Sequence, residues 1–469
     1  DIPVHLGSMP ASVEAALAAH KLDPGDVLLL NDPYSGGTHL PDLTVVAPCF
    51  AAGSAAPIAI VANRAHHADV GGVSSGSLPL SGELFQEGLV IPPVKVVRRG
   101  RLQHDIVEIL AANSRTPDER RGDLLAQLGS LERGKRRISE FTQSLGPQPA
   151  DAIASIYDGL ISASAVAARD MVCGMPESQV TGSASIELPD GIARIRVAVR
   201  KRNSKLLFDF SATDAQHGGP FNAVRAITVS AVFYVIRCLL PPEVPTTAGL
   251  QDAFEVVTKP GTLVDALHPA AVAAGNVETS QRIVLAVLDA VRKLLPGKMP
   301  AASQGTMNNL LIGSNASDSC RAFAYYETIA GGHGGSQLGS GLSARHSHMT
   351  NSLNTPVEAL EHAYPLRVRR YAIRANSGGA GLHHGGDGIV REVEFLRDSE
   401  FTLLRQSCVS GPSGALGGHT GAPGKAVLWN SDQAVELPAS CTRKAKAGER
   451  LVIETPGGGG WGRAKKSAG

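Results

Sequence analysis

Residues 26–42 read DVLLLNDPYSGGTHLPD, an apolar run followed by a loop dense in turn-forming residues. A short apolar run bounded by turn formers predicts a buried β-strand over 26–30. The Asn, Asp, Pro and Gly residues that follow predict a loop, and a second strand is predicted over 42–50. Because sites are commonly built on loops held by a rigid scaffold, this stretch is a candidate functional region.

The segments on either side alternate between helical and strand patterns. Helices are predicted over 9–20, 104–143, 150–173, 222–239 and 278–295. Further strands are predicted over 58–62, 182–210 and 389–453. We therefore predict a multi-domain protein of mixed α/β (α+β) class. It has an N-terminal metal-site domain over 1–145, a central α/β region over 146–345, and Gly-rich loops with a β-rich C-terminal region over 346–469.

The composition limits the classes of function. Hydrophobic residues make up 43% and charged residues 19%, which is typical of globular proteins. Lys and Arg number 44 against 43 Asp and Glu, and this balance argues against a nucleic-acid-binding protein. The six cysteines form no CxxC pair, which predicts reduced thiols. No apolar run of about 18 residues and no signal peptide occur, so we predict a cytoplasmic protein without a membrane partner.

Two copies of the pattern His-x-x-Asp lie 27 positions apart, at His39–Asp42 and His66–Asp69. Each copy adjoins a predicted strand and a Gly-Gly pair. Imidazole and carboxylate ligands from two turns suit a divalent metal such as Zn or Mn. The residues alone leave a second interpretation open, in which His and Asp merely cap turns. The pattern also occurs at His20–Asp23 and His384–Asp387, so it is not specific by itself.

Two other clusters carry weaker signals. The sequence GGHGGS over 331–336 predicts either an anion-binding backbone nest or a plain turn-rich loop. In residues 343–351, His346 and His348 share a face if the segment is a strand, although such dense polar residues also suit a hydrogen-bonded network. The sequence contains no GxxxxGK[ST] nucleotide loop; the nearest match, over 129–135, lacks the final hydroxyl residue.

Six strings occur in order along nearly the whole chain. They are NDPYSGGTHLPD (31–42), AHHADVGG (65–72), EGLVIPP (87–93), YETIAGG (326–332), HMTNSLNTPVE (348–358) and SGGAGLHHGGDG (377–388). Together they resemble the hydantoinase B/5-oxoprolinase family, which also includes the acetone carboxylase alpha subunit. The resemblance implies a B-type subunit that works in a hetero-oligomer with a hydantoinase A-type, ATP-binding subunit. The A-type subunit phosphorylates the oxygen of a small cyclic amide, and the B-type subunit completes its hydrolysis.

The resemblance also implies site residues. The metal ligands are His39, Asp42 and His66, where His66 is preferred to His67 because it fits the pattern Ala-His-x-x-Asp. The metal, Zn or Mn, supplies an activated water for the hydrolysis. For the general base of this hydrolysis we expect Asp69 or Glu87, and the choice between them stays open.

For the substrate, we expect the glycine-rich loop of His333, Gly334 and Gly335 to bind a phosphate or ring carboxylate, and His348 is a further candidate. Two alternatives stay open: a carboxylase subunit like that of acetone carboxylase, and a non-catalytic scaffold subunit. Family members usually have a segment before the string that begins at Ile2, and it could supply a metal ligand. The metal site is therefore expected to be incomplete unless another chain completes it.

Overall fold

In the computed structural model, the apolar run after Gly25 forms the central strand of a first, antiparallel sheet. The structure describes residues 2–51, 54–146, 149–316, 321–430 and 433–464. The strands of the first sheet are β1 (Val27–Leu30), β2 (Asp42–Cys49), β3 (Ala59–His66), β4 (Val94–Arg98) and β5 (Arg101–Leu102), in the order β3-β2-β1-β4-β5. Every residue of β1 is buried, as the run predicts.

The pairing of β2 with β3 places the end of the first His-x-x-Asp copy opposite the start of the second. Asp42 pairs with His66, and Thr44 pairs with Arg64. Directly paired residues lie on one face of a sheet and alternate with residues of the other face. Leu43 and Val45 therefore point the other way, into the main hydrophobic core. The two predicted strand ends thus meet, because β2 and β3 are neighbours in an antiparallel sheet.

Helices cover the sheets, and most of the segments predicted to be helical are helices in the structure. They are α1 (Ser8–Ala19), α2 (His104–Ala112), α3 (Pro117–Gln143), α4 (Pro149–Cys173), α5 (Arg225–Cys238), α6 (Ser280–Leu294) and α7 (Val357–Ala363). Pro117 at the first turn of α3, followed by two acidic residues, is a favourable start for a helix. A π-helical turn, Gly275–Thr279, leads directly into α6. Among the described residues, no helix combines the length and apolarity needed to cross a membrane.

Three further sheets complete the fold of the described residues. Their strands are β6 (Gln179–Leu188), β7 (Gly191–Arg202), β8 (Lys205–Asp209), β9 (Phe254–Val257), β10 (Asn309–Ser314), β11 (Phe323–Thr328), β12 (Leu366–Arg374), β13 (Gly388–Phe395), β14 (Ser399–Leu404), β15 (Lys425–Asn430), β16 (Gln433–Glu436), β17 (Ser440–Ala445) and β18 (Arg450–Glu454). The strand orders are β6-β7-β8-β9, β11-β10-β14-β17 and β12-β13-β18-β15-β16. The mixed α/β class and the β-rich C-terminal region are confirmed.

Some sequence predictions differ from the structure. The patterns do not predict β10 or β12, which are stabilised by pairing with β14 and β13 rather than by local sequence. The segment with His346 and His348 is not a strand, and His348 has a left-handed φ of 58°. The cysteines of the described residues are unpaired, and Cys320 lies outside those residues. The proposed domain bounds stay predictions; the main core takes residues from both sides of 145/146.

Glycine-rich segments 331–335, 377–388, 411–421 and 457–460 pack backbone against backbone, and we call them the glycine bundle. Gly379 N–H donates to Gly458 O at 2.8 Å, and Gly458 N–H donates to Gly386 O at 2.9 Å. A Cβ atom at Gly332 would lie 1.9 Å from Gly386 O. Glycine is needed here because only hydrogen fits between such close backbones.

Gly332→Ala is therefore expected to lower the free energy of unfolding by about 1–3 kcal/mol through overpacking. Urea unfolding measures the change. The matched control is Gly122→Ala, inside α3, where an added Cβ meets nothing within 4 Å. That substitution is expected to stabilise by about 0.5–1 kcal/mol through helix propensity. Equal effects of the two substitutions would contradict close packing in the bundle.

Candidate functional site

A buried polar cluster lies where the first sheet meets the π-helical turn, with the Asp42 carboxylate at its centre. Asp42 Oδ2 accepts a hydrogen bond from Thr38 Oγ1 at 2.5 Å. It lies 3.0 Å from His5 Nε2 and 3.3 Å from His39 Nε2. Asn276 Nδ2 donates to the same oxygen at 3.1 Å. Burial opposes ionisation of Asp42, but the charge that His39 and His5 carry when protonated, together with their hydrogen bonds, holds the pKa of Asp42 well below the usual range, so it is a carboxylate.

The ring of His39 is oriented by the backbone. Its Nδ1 lies 3.1 Å from Ala273 O, so in the neutral ring Nδ1–H donates to that carbonyl and Nε2 carries the lone pair. Nε2 faces Asp42 and accepts a hydrogen bond from Asn276 Nδ2 at 2.9 Å. A backbone carbonyl that fixes the tautomer in this way is typical of metal-binding histidines.

His66 joins the cluster from the end of β3. Its ring lies 5.1 Å from the His39 ring, centroid to centroid, and stacks on Tyr326 at 4.7 Å. His66 Nε2 is buried and has no hydrogen-bond partner. Burial, with a contribution from His39, lowers the pKa of His66 to about 3, so the imidazole is neutral. The structure thus brings together all three predicted metal ligands.

A cavity of about 260 Å³ opens onto the cluster. Its lining includes His5, Asp42, His66, Asn276, Tyr326, Glu327, Thr328, Thr350 and Ser352. Glu327 forms a buried ion pair with Arg391 at 3.1 Å. A larger cavity of about 820 Å³ shares Ile2 and His5 with the first, so His5 lies between the two. A small organic ring fits the volume beside the cluster.

The two predicted general bases have different surroundings. Asp69 is buried in an ion pair with Arg115 at 3.0 Å, and none of its contacts joins the cluster. Glu87 Oε1 accepts hydrogen bonds from the backbone N–H groups of Val272 and Ala273, while Oε2 has no partner. Burial raises the pKa of Glu87 to about 7. Glu87 therefore supports the Ala273 segment that orients His39, and neither carboxylate lines the cavity.

The predicted substrate-binding residues lie elsewhere. The N–H groups of His333, Gly334 and Gly335 donate to Leu342 O, Ser303 Oγ and Gly459 O, so an anion would have to displace these contacts. His348 Nε2 is buried without a partner, and burial lowers the pKa of this ring to about 3. None of the four residues lines the cavity beside the cluster.

Four residues of the site were not predicted as site residues: His5, Asn276, Tyr326 and Glu327. His5 belongs to the string that begins at Ile2, and Tyr326 and Glu327 belong to the string YETIAGG. These strings could have identified His5, Tyr326 and Glu327 as candidate site residues. Asn276 has no such signal; only a polar run ahead of an apolar helix marks it. Its π-helical turn is a type of irregularity often found at functional sites.

The donor atoms of the cluster can be compared with those that a divalent metal requires. As they stand, the described residues include no three His, Cys, Asp or Glu side chains arranged to hold one. The donor types fit, because neutral imidazoles and a carboxylate suit Zn or Mn. The 3.3 Å between His39 Nε2 and Asp42 Oδ2 is near the separation of about 3.4 Å expected for two ligands of tetrahedral zinc. The unpartnered His66 Nε2 is a further available donor.

Comparison with known proteins gives consistent results. The family model for hydantoinase B/oxoprolinase matches residues 1–464. An uncharacterized protein of Methanocaldococcus jannaschii is 36% identical over 98% of this chain and 81% of its own. 5-oxoprolinase 1 of Arabidopsis thaliana is 37% identical over 98% of this chain, which spans only 37% of the plant protein. A putative B-type subunit of a D-/L-hydantoinase from a Pseudomonas species is 28% identical over 93% of this chain and 76% of its own.

One solved structure shows the same fold. The crystal structure of ATP-dependent caprolactamase from Pseudomonas jessenii has a TM-score of 0.86, with 98% of this chain and 82% of that chain covered. The two sequences are 24% identical, so the likeness shows a shared fold.

Proposed function

This chain belongs to the hydantoinase B/oxoprolinase family, and from that premise we propose that it is the B-type subunit of an ATP-dependent hydantoinase or oxoprolinase. Its reaction is the hydrolysis of a cyclic amide such as a hydantoin, 5-oxoproline or another lactam. The observation that carries the proposal is the buried cluster around Asp42, open to a cavity of about 260 Å³. Family alone does not establish a reaction, but a site of this chemistry supports one.

The residues that would hold the metal are His39, Asp42 and His66. A divalent Zn or Mn ion bound there would polarise an amide carbonyl and activate water. Asp42 supplies the charge of the site, and the Ala273 carbonyl holds His39 in the tautomer that has its lone pair on Nε2. Glu87 supports that carbonyl through the N–H groups of residues 272 and 273. We therefore propose Glu87 as a positioning residue.

Proton transfer is proposed for His5. It lines the cavity, and its Nε2 lies 3.0 Å from Asp42 Oδ2. A general acid or base must lie within hydrogen-bonding reach of the reacting group. His5 meets that requirement better than Asp69, which Arg115 holds in an ion pair. Tyr326 and Glu327 line the same cavity, and the buried pair with Arg391 holds Glu327 in place.

The partner is proposed to be a hydantoinase A-type subunit that uses ATP to activate the amide oxygen. The name of the Pseudomonas relative, which describes one subunit of a putative hydantoinase, supports a divided enzyme. The sequence of this chain lacks the GxxxxGK[ST] nucleotide loop, which agrees with such a division of labour.

Reconstitution with an A-type partner tests the proposal. ATP-dependent ring opening of 5-oxoproline, hydantoin or a lactam is expected only when both chains and the metal are present. Chromatographic detection of the open-chain product together with ADP measures it. Incorporation of labelled bicarbonate into a ketone instead would indicate a carboxylase subunit. Full activity of the partner alone would indicate a scaffold subunit, and either result overturns the proposal.

A further inference from the structure

The carboxamide of Asn276 is held in an arrangement that leaves one of its atoms unsatisfied. Asn276 lies on the π-helical turn before α6 and lines the cavity beside the cluster. Its Nδ2 donates to His39 Nε2 at 2.9 Å and to Asp42 Oδ2 at 3.1 Å. Its Oδ1 is buried and has no partner. A buried amide oxygen without a hydrogen bond is unusual and calls for an explanation.

The three polar atoms form a small triangle. Its edges are 2.9 Å from Asn276 to His39, 3.1 Å from Asn276 to Asp42, and 3.3 Å from His39 to Asp42. Two ligands each about 2.1 Å from a metal ion lie about 3.0 Å apart at a right angle and about 3.4 Å apart at a tetrahedral angle. The triangle therefore has the dimensions of one face of a coordination shell.

The electrostatics of the triangle favour a cation. His39 Nε2 presents a lone pair and Asp42 presents a carboxylate, so two acceptors converge on one region. Without metal, the amide hydrogens of Asn276, which carry partial positive charge, donate to both acceptors. Half a turn of the carboxamide places Oδ1 at the present position of Nδ2. An amide oxygen is a common protein ligand of divalent cations.

We propose that Asn276 is a further donor to the divalent metal, and that its carboxamide turns over when the ion binds. The inference rests on the metal of the proposed function. In the metal-bound state Oδ1 has the ion as its partner, while Nδ2 takes the present position of Oδ1. Asn276 also adds, from within this chain, a fourth donor to the three proposed ligands His39, Asp42 and His66.

Two substitutions distinguish metal binding by Asn276 from a purely structural hydrogen bond. Asn276→Leu keeps the approximate size but removes the oxygen, so Zn²⁺ or Mn²⁺ should bind at least tenfold more weakly. Asn276→Asp keeps an oxygen donor but places a carboxylate beside Asp42. Without metal, the Tm of Asn276→Asp should fall through like-charge repulsion. Added metal should raise the Tm of this variant more than that of the wild type. A structural role alone predicts that both variants are damaged whether or not metal is present.

The measurements are isothermal titration with Zn²⁺ and Mn²⁺, metal content after dialysis, and thermal unfolding with and without metal. Asn63→Leu is the matched control, because Asn63 lies on β3 but donates to Gln127 O, away from the cluster. Wild-type affinity in Asn276→Leu, or loss of metal in Asn276→Asp as complete as in Asn276→Leu, overturns the inference. A wild-type chain that binds neither ion overturns both the inference and the metal assignment. The expected metal results without any ring hydrolysis support the inference and overturn the proposed function.

Discussion

Replacing His39 with alanine is expected to remove the bound metal and to lower ATP-dependent ring hydrolysis at least about 100-fold. Changes in groups that merely orient a metal ligand typically cost 10–100-fold, and His39 is proposed as a ligand itself. Its Nε2 lies 3.3 Å from Asp42 Oδ2, and no other described imidazole is held by the Ala273 carbonyl. Metal content by mass spectrometry and kcat/KM of the reconstituted enzyme measure the two effects.

His67→Gln is the matched control for His39→Ala. His67 is also buried, but its Nε2 lies 2.8 Å from Gln127 Oε1 on the side of the sheet covered by α3. This variant should therefore keep its metal. The proposed mechanism is wrong if His39→Ala retains metal and activity. Loss of metal in His67→Gln with retention in His39→Ala would assign the metal ligand to His67 instead of His39.

Replacing Arg391 with methionine is expected to lower the free energy of unfolding by about 3–5 kcal/mol, the usual cost of breaking a buried ion pair. Arg391 on β13 is fully buried and donates from Nε and Nη2 to the two oxygens of Glu327, each at 3.1 Å. Without the guanidinium, Glu327 keeps its hydrogen bonds from Tyr325 and Asn354 but loses its counter-ion. Urea unfolding measures the loss.

Arg450→Met provides a matched control in the same sheet. Arg450 on β18 pairs with Glu392 at 2.8 Å, but its side chain is 44% exposed, so this loss should stay below about 1 kcal/mol. The double variant Arg391→Met/Glu327→Leu should regain much of the stability, since it leaves no buried charge without a partner. A cost for Arg391→Met no larger than that for Arg450→Met would show that the pair is not effectively buried.

Much of the fold could be predicted because its elements depend on local patterns. The apolar run at 27–30 forms a buried strand, and a turn at Pro189 and Asp190 joins β6 to β7. Hydrophobic periodicity and turn chemistry act over a few residues, so a single sequence displays them. Strand β10 was not predicted in this way; it lies between β11 and β14, and its partners in β14 are about ninety residues away.

The residues of the candidate site also fall into two groups: those recognisable in the sequence and those placed there by tertiary packing. His39, Asp42 and His66 were named from the family resemblance, since the His-x-x-Asp pattern alone left turn capping open. They come together because one loop and one hairpin carry all three. His5 and Asn276 lie far from them in sequence and reach Asp42 only through tertiary packing. The conformation of the Gly331–Gly335 segment was likewise decided by contacts with distant glycine segments, which occupy the amides that an anion would need. Local sequence specified which residues could carry the chemistry, whereas long-range packing specified which of them meet, because hydrogen bonding and burial act between atoms that are close in space.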